Sequence, residues 1–367
     1  EAHPLVKTGG LADVSGSLPR AIKNLKQEIR LILPAYPVAR ANAGVLKLVK
    51  EISLPGSQRR VRILQGRLPQ TRVQLYLIDA PEYFDRSGGP YSTPEGKDWP
   101  DNAARFALFA QAVCAVAMNR AGLDWKPDLV HCNDWQTGLV PALLSQHETR
   151  PATLFTIHNL SYQGLFPKAA FKALELPDAL WSIDGVEFHD KLSFLKGGIA
   201  CSDWVTTVSP TYAQEICTAE FGYGLEGLLQ YRAANLTGIL NGIDEHTWNP
   251  DRDPHLPARF SAATLASSRA AGAGAGSPSS TRSRKGTDRC SSTRVRTARG
   301  PVASVEAGTE AYADKTRCSS RISTPWRCFG CSDGVAIGWG KSLRFSNATS
   351  MVLKRRTRYA FSTAFSF

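Results

Sequence analysis

Lys7-Thr8-Gly9-Gly10-Leu11-Ala12-Asp13-Val14 sets a cation and two adjacent glycines at the head of an amphipathic segment. Glycine has no Cβ, so a ligand can approach the bare backbone there and the chain is free to take positive φ. Leu11, Val14, Leu18, Ile22 and Leu25 recur at steps of three and four, the period of a helix with one apolar face. The unpaired N–H groups and positive dipole end of such a helix favour an anion, phosphate above all. Lys7 adds a mobile positive charge. Asp13, in the first turn, either accepts ligand hydroxyls or simply favours the dipole. The alternative is a plain turn before a helix with no ligand. No Gly-Lys-Ser/Thr closes the stretch, so it is not a Walker loop, and it does not match the dinucleotide fingerprint.

Two further polar clusters each follow a short apolar run. His131-Cys132-Asn133-Asp134-Trp135 comes after Asp128-Leu129-Val130, and His158-Asn159-Leu160-Ser161-Tyr162-Gln163-Gly164 comes after Ala152 to Ile157. Sequential strands are often neighbours, which would bring Asp134 and His158 together near the Lys7 loop. A carboxylate and an imidazole over a phosphate site suit sugar recognition or general acid/base work. Asp134 could equally cap a helix from Trp135, and His158 could be a hydrogen-bonded core histidine.

The elements that must position these groups alternate along the chain. Ile29 to Leu33 reads as a strand ended by Pro34. Val45 to Ile52 and Arg60 to Leu68 read as a hairpin around Pro55-Gly56, and Val73 to Ile78 as a further strand. Asp79 to Trp99 is a loop rich in Gly, Pro and Tyr, of a length that is often functional. Asp101 is expected to N-cap a helix that is apolar on most faces and therefore buried. After that come strand Asp128–His131, helix Trp135–Ser145, strand Ala152–Ile157, helix Ser193–Ser202, strand Trp204–Val208, helix Pro210–Thr218 and strand Asn235–Leu240. This order implies an α/β fold with a doubly wound, mainly parallel sheet, whose ligands sit at the carboxyl ends of the strands. A phosphate loop of this kind normally follows a buried parallel strand, and none precedes Lys7, so a fragment is expected.

Charge divides the chain. Residues 261–367 hold 18 Lys and Arg against 5 Asp and Glu, whereas residues 1–260 hold 26 against 27, so the net charge of +12 lies in the tail. That tail carries 30 Ser or Thr and shows no sustained period of 2 or 3.6. Its abrupt onset after about Pro254 is what an out-of-frame GC-rich gene yields, a reading preferred to a disordered basic tail binding nucleic acid. Of eight cysteines only Cys328 and Cys331 have CxxC spacing, and a lone pair makes a poor metal or redox site, so no metal or cofactor is expected. No apolar run approaches the ~18 residues of a membrane span, so no membrane partner is expected and reduced thiols place the chain in a cytoplasm.

Lys7-Thr8-Gly9-Gly10-Leu11 resembles the Lys-X-Gly-Gly-Leu signature of the bacterial glycogen synthases and plant starch synthases. So do Asp134-Trp135, Thr156-Ile157-His158-Asn159-Leu160, Ser193-Phe194-Leu195-Lys196-Gly197-Gly198, Thr207-Val208-Ser209-Pro210-Thr211-Tyr212, Tyr223-Gly224-Leu225-Glu226-Gly227-Leu228 and Leu240-Asn241-Gly242-Ile243-Asp244, in order. The resemblance implies a glycosyltransferase of family 5 with two Rossmann-like halves (GT-B). Such an enzyme moves glucose from ADP-glucose to the non-reducing end of an α-1,4-glucan such as glycogen, with retention and without metal. It implies that Lys7, Gly9 and Gly10 face the diphosphate, and that Glu1, Asp13, Tyr91, Asn159 and Asn241 line the sugar or acceptor side. Asp134 and His158 are its catalytic candidates. Residues 1–253 would be the N-terminal catalytic domain. Residues 254–367 show neither the Arg/Lys pair nor the carboxylate motif expected of the second half, so this chain is expected to be inactive or, as the alternative, a glucan-binding fragment.

Overall fold

The computed structural model describes residues 1–54, 59–243, 248–256, 259–264 and 358–363. Helix α1 (Gly10–Asn24) opens the regular structure, burying Leu11, Ala12, Ser15 and Pro19 along one face. β1 (Glu28–Pro34) follows it, and then come α2 (Pro37–Asn42), β2 (Lys47–Ser53), β3 (Arg60–Arg67) and β4 (Gln74–Asp79). Next in order are α3 (Pro81–Phe84), α4 (Asn102–Ala117), β5 (Leu129–Asn133), α5 (Leu139–Ser145) and β6 (Ala152–Ile157). β7 (Leu165–Pro167), α6 (Lys168–Ala173), β8 (Glu187–Phe188) and β9 (Lys191–Ser193) lead to α7 (Phe194–Cys201). The last elements are β10 (Trp204–Thr207), α8 (Pro210–Glu215), α9 (Glu226–Tyr231), β11 (Leu236–Gly238) and β12 (Arg358–Thr363).

Among the described residues one nine-stranded sheet runs in the order β11-β10-β6-β5-β12-β1-β4-β3-β2. All pairings from β11 to β4 are parallel, and only the β2–β3–β4 edge is antiparallel. The expected α/β architecture with a mainly parallel sheet is therefore present. The interior strands are apolar on both faces, as β1 shows with Ile29, Leu31, Ile32 and Leu33 all fully buried, because helices cover both sides of such a sheet. α4 buries twelve of its sixteen residues, and Phe106 and Phe109 each contribute about 2 to 3 kcal/mol by leaving water. β7, β9 and β8 make a separate three-stranded antiparallel sheet.

Three local expectations are corrected. Asp101 precedes α4 but makes no capping bond, because its carboxylate takes both guanidinium nitrogens of Arg86 at 2.8 and 2.6 Å. The stretch Trp135–Ser145 is not one helix: a 3₁₀ turn over Trp135–Thr137 is followed, across Gly138, by α5. Neither Gly9 nor Gly10 takes positive φ, since Gly9 is extended at φ −152° and Gly10 begins α1.

β12 was not foreseen. It lies between β1 and β5, with Leu31 opposite Phe361 on one side and Cys132 opposite Ser362 on the other. The described residues within 1–248 and 358–363 form one compact unit. The other, 249–350, is described only at its start, where the Phe260 amide donates to Pro250 O at 3.2 Å. The CxxC pair and most of the basic tail lie outside the described residues. Among the described residues no helix is long and apolar enough to cross a membrane, and no three His, Cys, Asp or Glu gather as metal ligands.

Candidate active site

The loop ahead of α1 is organised by Glu1. Its fully buried carboxylate accepts hydrogen bonds from the Thr8 amide at 2.6 Å, the Gly9 amide at 3.2 Å, the Thr8 hydroxyl and the Tyr91 hydroxyl at 2.9 Å. Charge-assisted bonds of this kind are the strong ones, and an anion is at home beside a helix N-terminus. Glu1 thus fixes the loop that carries Lys7 and Gly10. Lys7 Nζ meets both oxygens of Asp13 at 2.7 and 2.8 Å, and both side chains are about half exposed. Such an exposed pair adds little stability and leaves Lys7 able to swing to a ligand. At Gly10 an added Cβ would meet nothing within 4 Å, so the backbone is open on that side.

Tyr91 reaches Glu1 because a buried guanidinium holds its loop. Arg105 Nε donates to Tyr83 O at 2.7 Å, and its Nη1 donates to Pro90 O at 3.0 Å and to Asn102 Oδ1 at 2.7 Å. Asn102 Nδ2 in turn donates to Tyr91 O at 3.0 Å. Sequence reading passed over Arg105 and Asn102. The available signal was an arginine set among the apolar residues of α4, a position where a charge survives only if it is fully hydrogen-bonded.

At the carboxyl ends of β5 and β6 the two catalytic candidates do meet. Asp134, at φ 56° and ψ 179°, turns its carboxylate across to β6, where Oδ1 accepts from the His158 amide at 2.7 Å. It makes no capping bond to the turn that follows, so the helix-cap alternative is excluded. Asp134 Oδ2 is buried and has no hydrogen-bond partner among the described residues. Burial pushes the Asp134 carboxyl well above the usual carboxylate range, the nearby Glu1 charge acts in the same direction, and the His158 and Asn159 amides oppose them. His158 Nε2 lies 3.0 Å from Asn133 Oδ1, and burial lowers its imidazole to about 4. His158 is therefore neutral near pH 7 and acts through hydrogen bonds, not charge.

The core-histidine role belongs to His131. It is buried inside β5 with Nε2 2.7 Å from Thr156 Oγ1, and desolvation pushes it down to about 3. His158 is only partly covered and lines a cleft of about 520 Å³ with Asn159, Val208, Ser209, Tyr212, Glu215, Phe221 and Tyr223. Asn159 Oδ1 accepts from the Ser161 amide and hydroxyl at 3.0 and 2.7 Å. Asn241 is exposed three residues past β11 and makes no hydrogen bond among the described residues, so the geometry does not tie it to the others.

A mainly parallel sheet with a buried carboxylate and a neutral histidine meeting at its strand ends is an α/β architecture of the kind that places ligands at the carboxyl ends of its strands. The chain belongs to the starch synthase catalytic domain family, whose model matches residues 1–231. It is 58% identical over 266 residues to a glycogen synthase of Thioalkalivibrio sulfidiphilus, covering 72% of this chain and 55% of that one. Similarity to a glycogen synthase of Cellvibrio japonicus is 55% over 267 residues, with coverages of 72% and 55%. The chain thus spans about half the length of the curated relatives it matches. In structure it is similar to the catalytic domain of starch synthase IV from Arabidopsis thaliana bound to ADP and acarbose, with TM-score 0.61 and 30% identity, covering 77% of this chain and 59% of that one.

Proposed function

We propose that residues 1–253 form the N-terminal half of a GT-B glycosyltransferase that transfers glucose from ADP-glucose to the non-reducing end of an α-1,4-glucan, with retention. The observation that carries this reading is the Asp134–His158 contact at the strand ends, close enough to the Glu1-held loop for the Glu1 charge to act on the Asp134 carboxyl. The Arabidopsis relative bound to ADP and acarbose supports a nucleotide and an oligosaccharide as the two ligands. In the reaction the C1–O bond to the diphosphate breaks, an acceptor hydroxyl oxygen bonds to C1 on the same face, and its proton leaves with the diphosphate. Stabilising the developing diphosphate charge matters more than any nucleophile.

In this proposal Lys7 and the backbone at Gly9 and Gly10 lie against the diphosphate, the Gly9 amide itself being held by Glu1. His158 contacts the transferring glucose as a neutral hydrogen-bonding group, Asp134 fixes the His158 backbone, and Glu1 with Tyr91 holds the loop. Residues 254–367 carry neither the Arg/Lys pair nor the carboxylate motif expected of the second half, so this chain alone should bind nucleotide weakly and turn over little.

Titrating the chain with ADP and with UDP by calorimetry, beside an assay of glucose transfer from ADP-glucose to glycogen, tests the reading. ADP is expected to bind more tightly. Lys7→Ala should weaken ADP about tenfold, the loss of one hydrogen bond to a charged group, with an unchanged melting temperature because its ion pair is exposed. A lower melting temperature with ADP affinity intact would make Lys7 structural and remove it from the site.

A further inference from the structure

β12 enters the sheet differently from its neighbours. β1, β5, β6 and β10 each follow a helix in the same run of chain, α1, α4, α5 and α7, as parallel strands joined by crossovers do. The described residues stop at Thr264 and resume at Arg358, so among them β12 has no crossover helix of its own. Its main chain is held by two parallel ladders, Arg358–Ser362 against Glu28–Ile32 on one side and Tyr359–Thr363 against Leu129–Asn133 on the other. Adjacent strands lie ~4.8 Å apart, which sets β1 and β5 two such spacings from each other with one strand between them. Ile29, Leu31 and Ile32 on β1 and Val130 and Cys132 on β5 are fully buried. With the slot empty, amides and carbonyls of both strands would face a gap inside the core, and a buried backbone group without a partner costs as much as a lost hydrogen bond. The slot therefore favours an extended backbone, and the ladder bonds that reward it do not depend on which chain supplies them.

We propose that the slot between β1 and β5 is a strand-binding site whose occupant, Arg358–Thr363, can be exchanged for another peptide running parallel to both strands. Recognition is main-chain pairing on two sides over five residues each. The partner it fits is a short extended peptide with no interior proline, since proline would remove a ladder donor. Arg358–Thr363 meets that demand. It has neither proline nor glycine, and large Tyr359 and Phe361 alternate with small Ala360 and Ser362. Occupancy also bears on the candidate site. Thr363 lies opposite Asn133, the residue before Asp134, and Asn133 Oδ1 is 3.0 Å from His158 Nε2. The strand in the slot thus fixes the end of β5 from which His158 is held, its ring by the Asn133 side chain and its amide by Asp134 Oδ1. The proposal does not depend on the glycosyltransferase reading, and either can fail without the other.

Two measurements on the full chain test the exchange. In the unaltered chain, amide hydrogen exchange over Arg358–Thr363 should be at least about tenfold faster than over β6, because the strand can leave without the rest of the unit unfolding. Exchange no faster than that of β6 would show that β12 opens only with the whole unit and would overturn the proposal. The second measurement uses Ala360→Pro, which removes a ladder donor in the middle of β12, and a fluorescein-labelled peptide with the sequence of residues 356–365. The peptide should bind the variant at least about tenfold more tightly than the unaltered chain, where the tethered strand competes for the slot. Binding should also raise the variant's lowered melting temperature and return the His158 ring signals in its NMR spectrum to their positions in the unaltered chain. The same peptide carrying the proline should bind neither protein. A variant that the peptide neither binds nor restores would make β12 an integral strand and not an exchangeable one. A variant that melts with the unaltered chain and keeps its His158 signals would show that Arg358–Thr363 does not fill the slot, and the proposal falls with either result.

Discussion

Acidification from pH 7 to pH 4 is expected to remove on the order of 5 kcal/mol of stability through His131 and His158 alone, enough to unfold a domain of ordinary stability. Burial holds these imidazoles at about 3 and about 4, below their ordinary value of 6.5. A depressed histidine value means that the unfolded chain takes up the proton first. Stability is therefore fully present above pH 6.5 and is lost as the pH falls through the interval down to the folded values, at ~1.4 kcal/mol per pH unit per proton. Asp134 works against this. Its folded value lies above the ordinary carboxylate value, so the folded chain takes up that proton first and gains stability as the pH falls toward 3.8. The two effects separate in a comparison of variants. His131→Gln keeps a hydrogen-bonding group opposite Thr156, while Asp134 and His158 are common to both proteins. Chemical unfolding at several pH values should show the variant losing stability about one proton less steeply between pH 6.5 and 4. Identical slopes would mean that His131 already titrates normally in the folded state.

The parts of the fold legible in the sequence are those decided by local chemistry. Ala152–Ile157 is a run of apolar and β-branched residues between Pro151 and His158, and β6 has those bounds. The placing of Asp134 and His158 after neighbouring strands was likewise enough to bring them together. Other features depend on distant partners. β8 and β9 have two and three residues, too few for any period to show, and exist because they pair with each other and with β7. β12 lies more than a hundred residues past β11 in sequence and is a strand only through its neighbours β1 and β5. Asp101 looked like a cap because its type and position fit one, and the pair with Arg86 outcompetes that role. Glu1 stands next to nothing chemical in sequence, and its grip on Thr8 and Gly9 follows from the path of the loop.

Gly138→Ala is expected to destabilise the protein by about 3 kcal/mol or more, well beyond what its place at the head of α5 alone would give. Gly138 has φ −62° and ψ −27°, which any residue adopts, and it is the N-cap residue of α5, where exchanging glycine for alanine by itself costs only about 1 kcal/mol. The obstacle is α7. A Cβ on Gly138 would lie 1.9 Å from Phe194 O and 2.6 Å from Phe194 C, and these are backbone atoms that cannot rotate aside. The close approach is seen from the other helix too, where a Cβ on Gly197 would lie 3.5 Å from both Ala142 Cβ and Gly138 O. Relief requires α5 and α7 to separate, and overpacking of that kind typically costs 1 to 3 kcal/mol, more where the backbone must move. For a unit of this size the melting temperature should fall by roughly 10 °C. Gly227→Ala in α9 is the control, because a Cβ there meets nothing within 4 Å, and it should be neutral or slightly stabilising. Gly138 also ends the turn that starts at Asp134, with its amide bonded to Trp135 O at 3.0 Å, so the shift should reach the Asp134–His158 contact and weaken ligand binding together with stability. A Gly138→Ala protein that melts with the unaltered chain would show that α5 and α7 are farther apart than this packing has them.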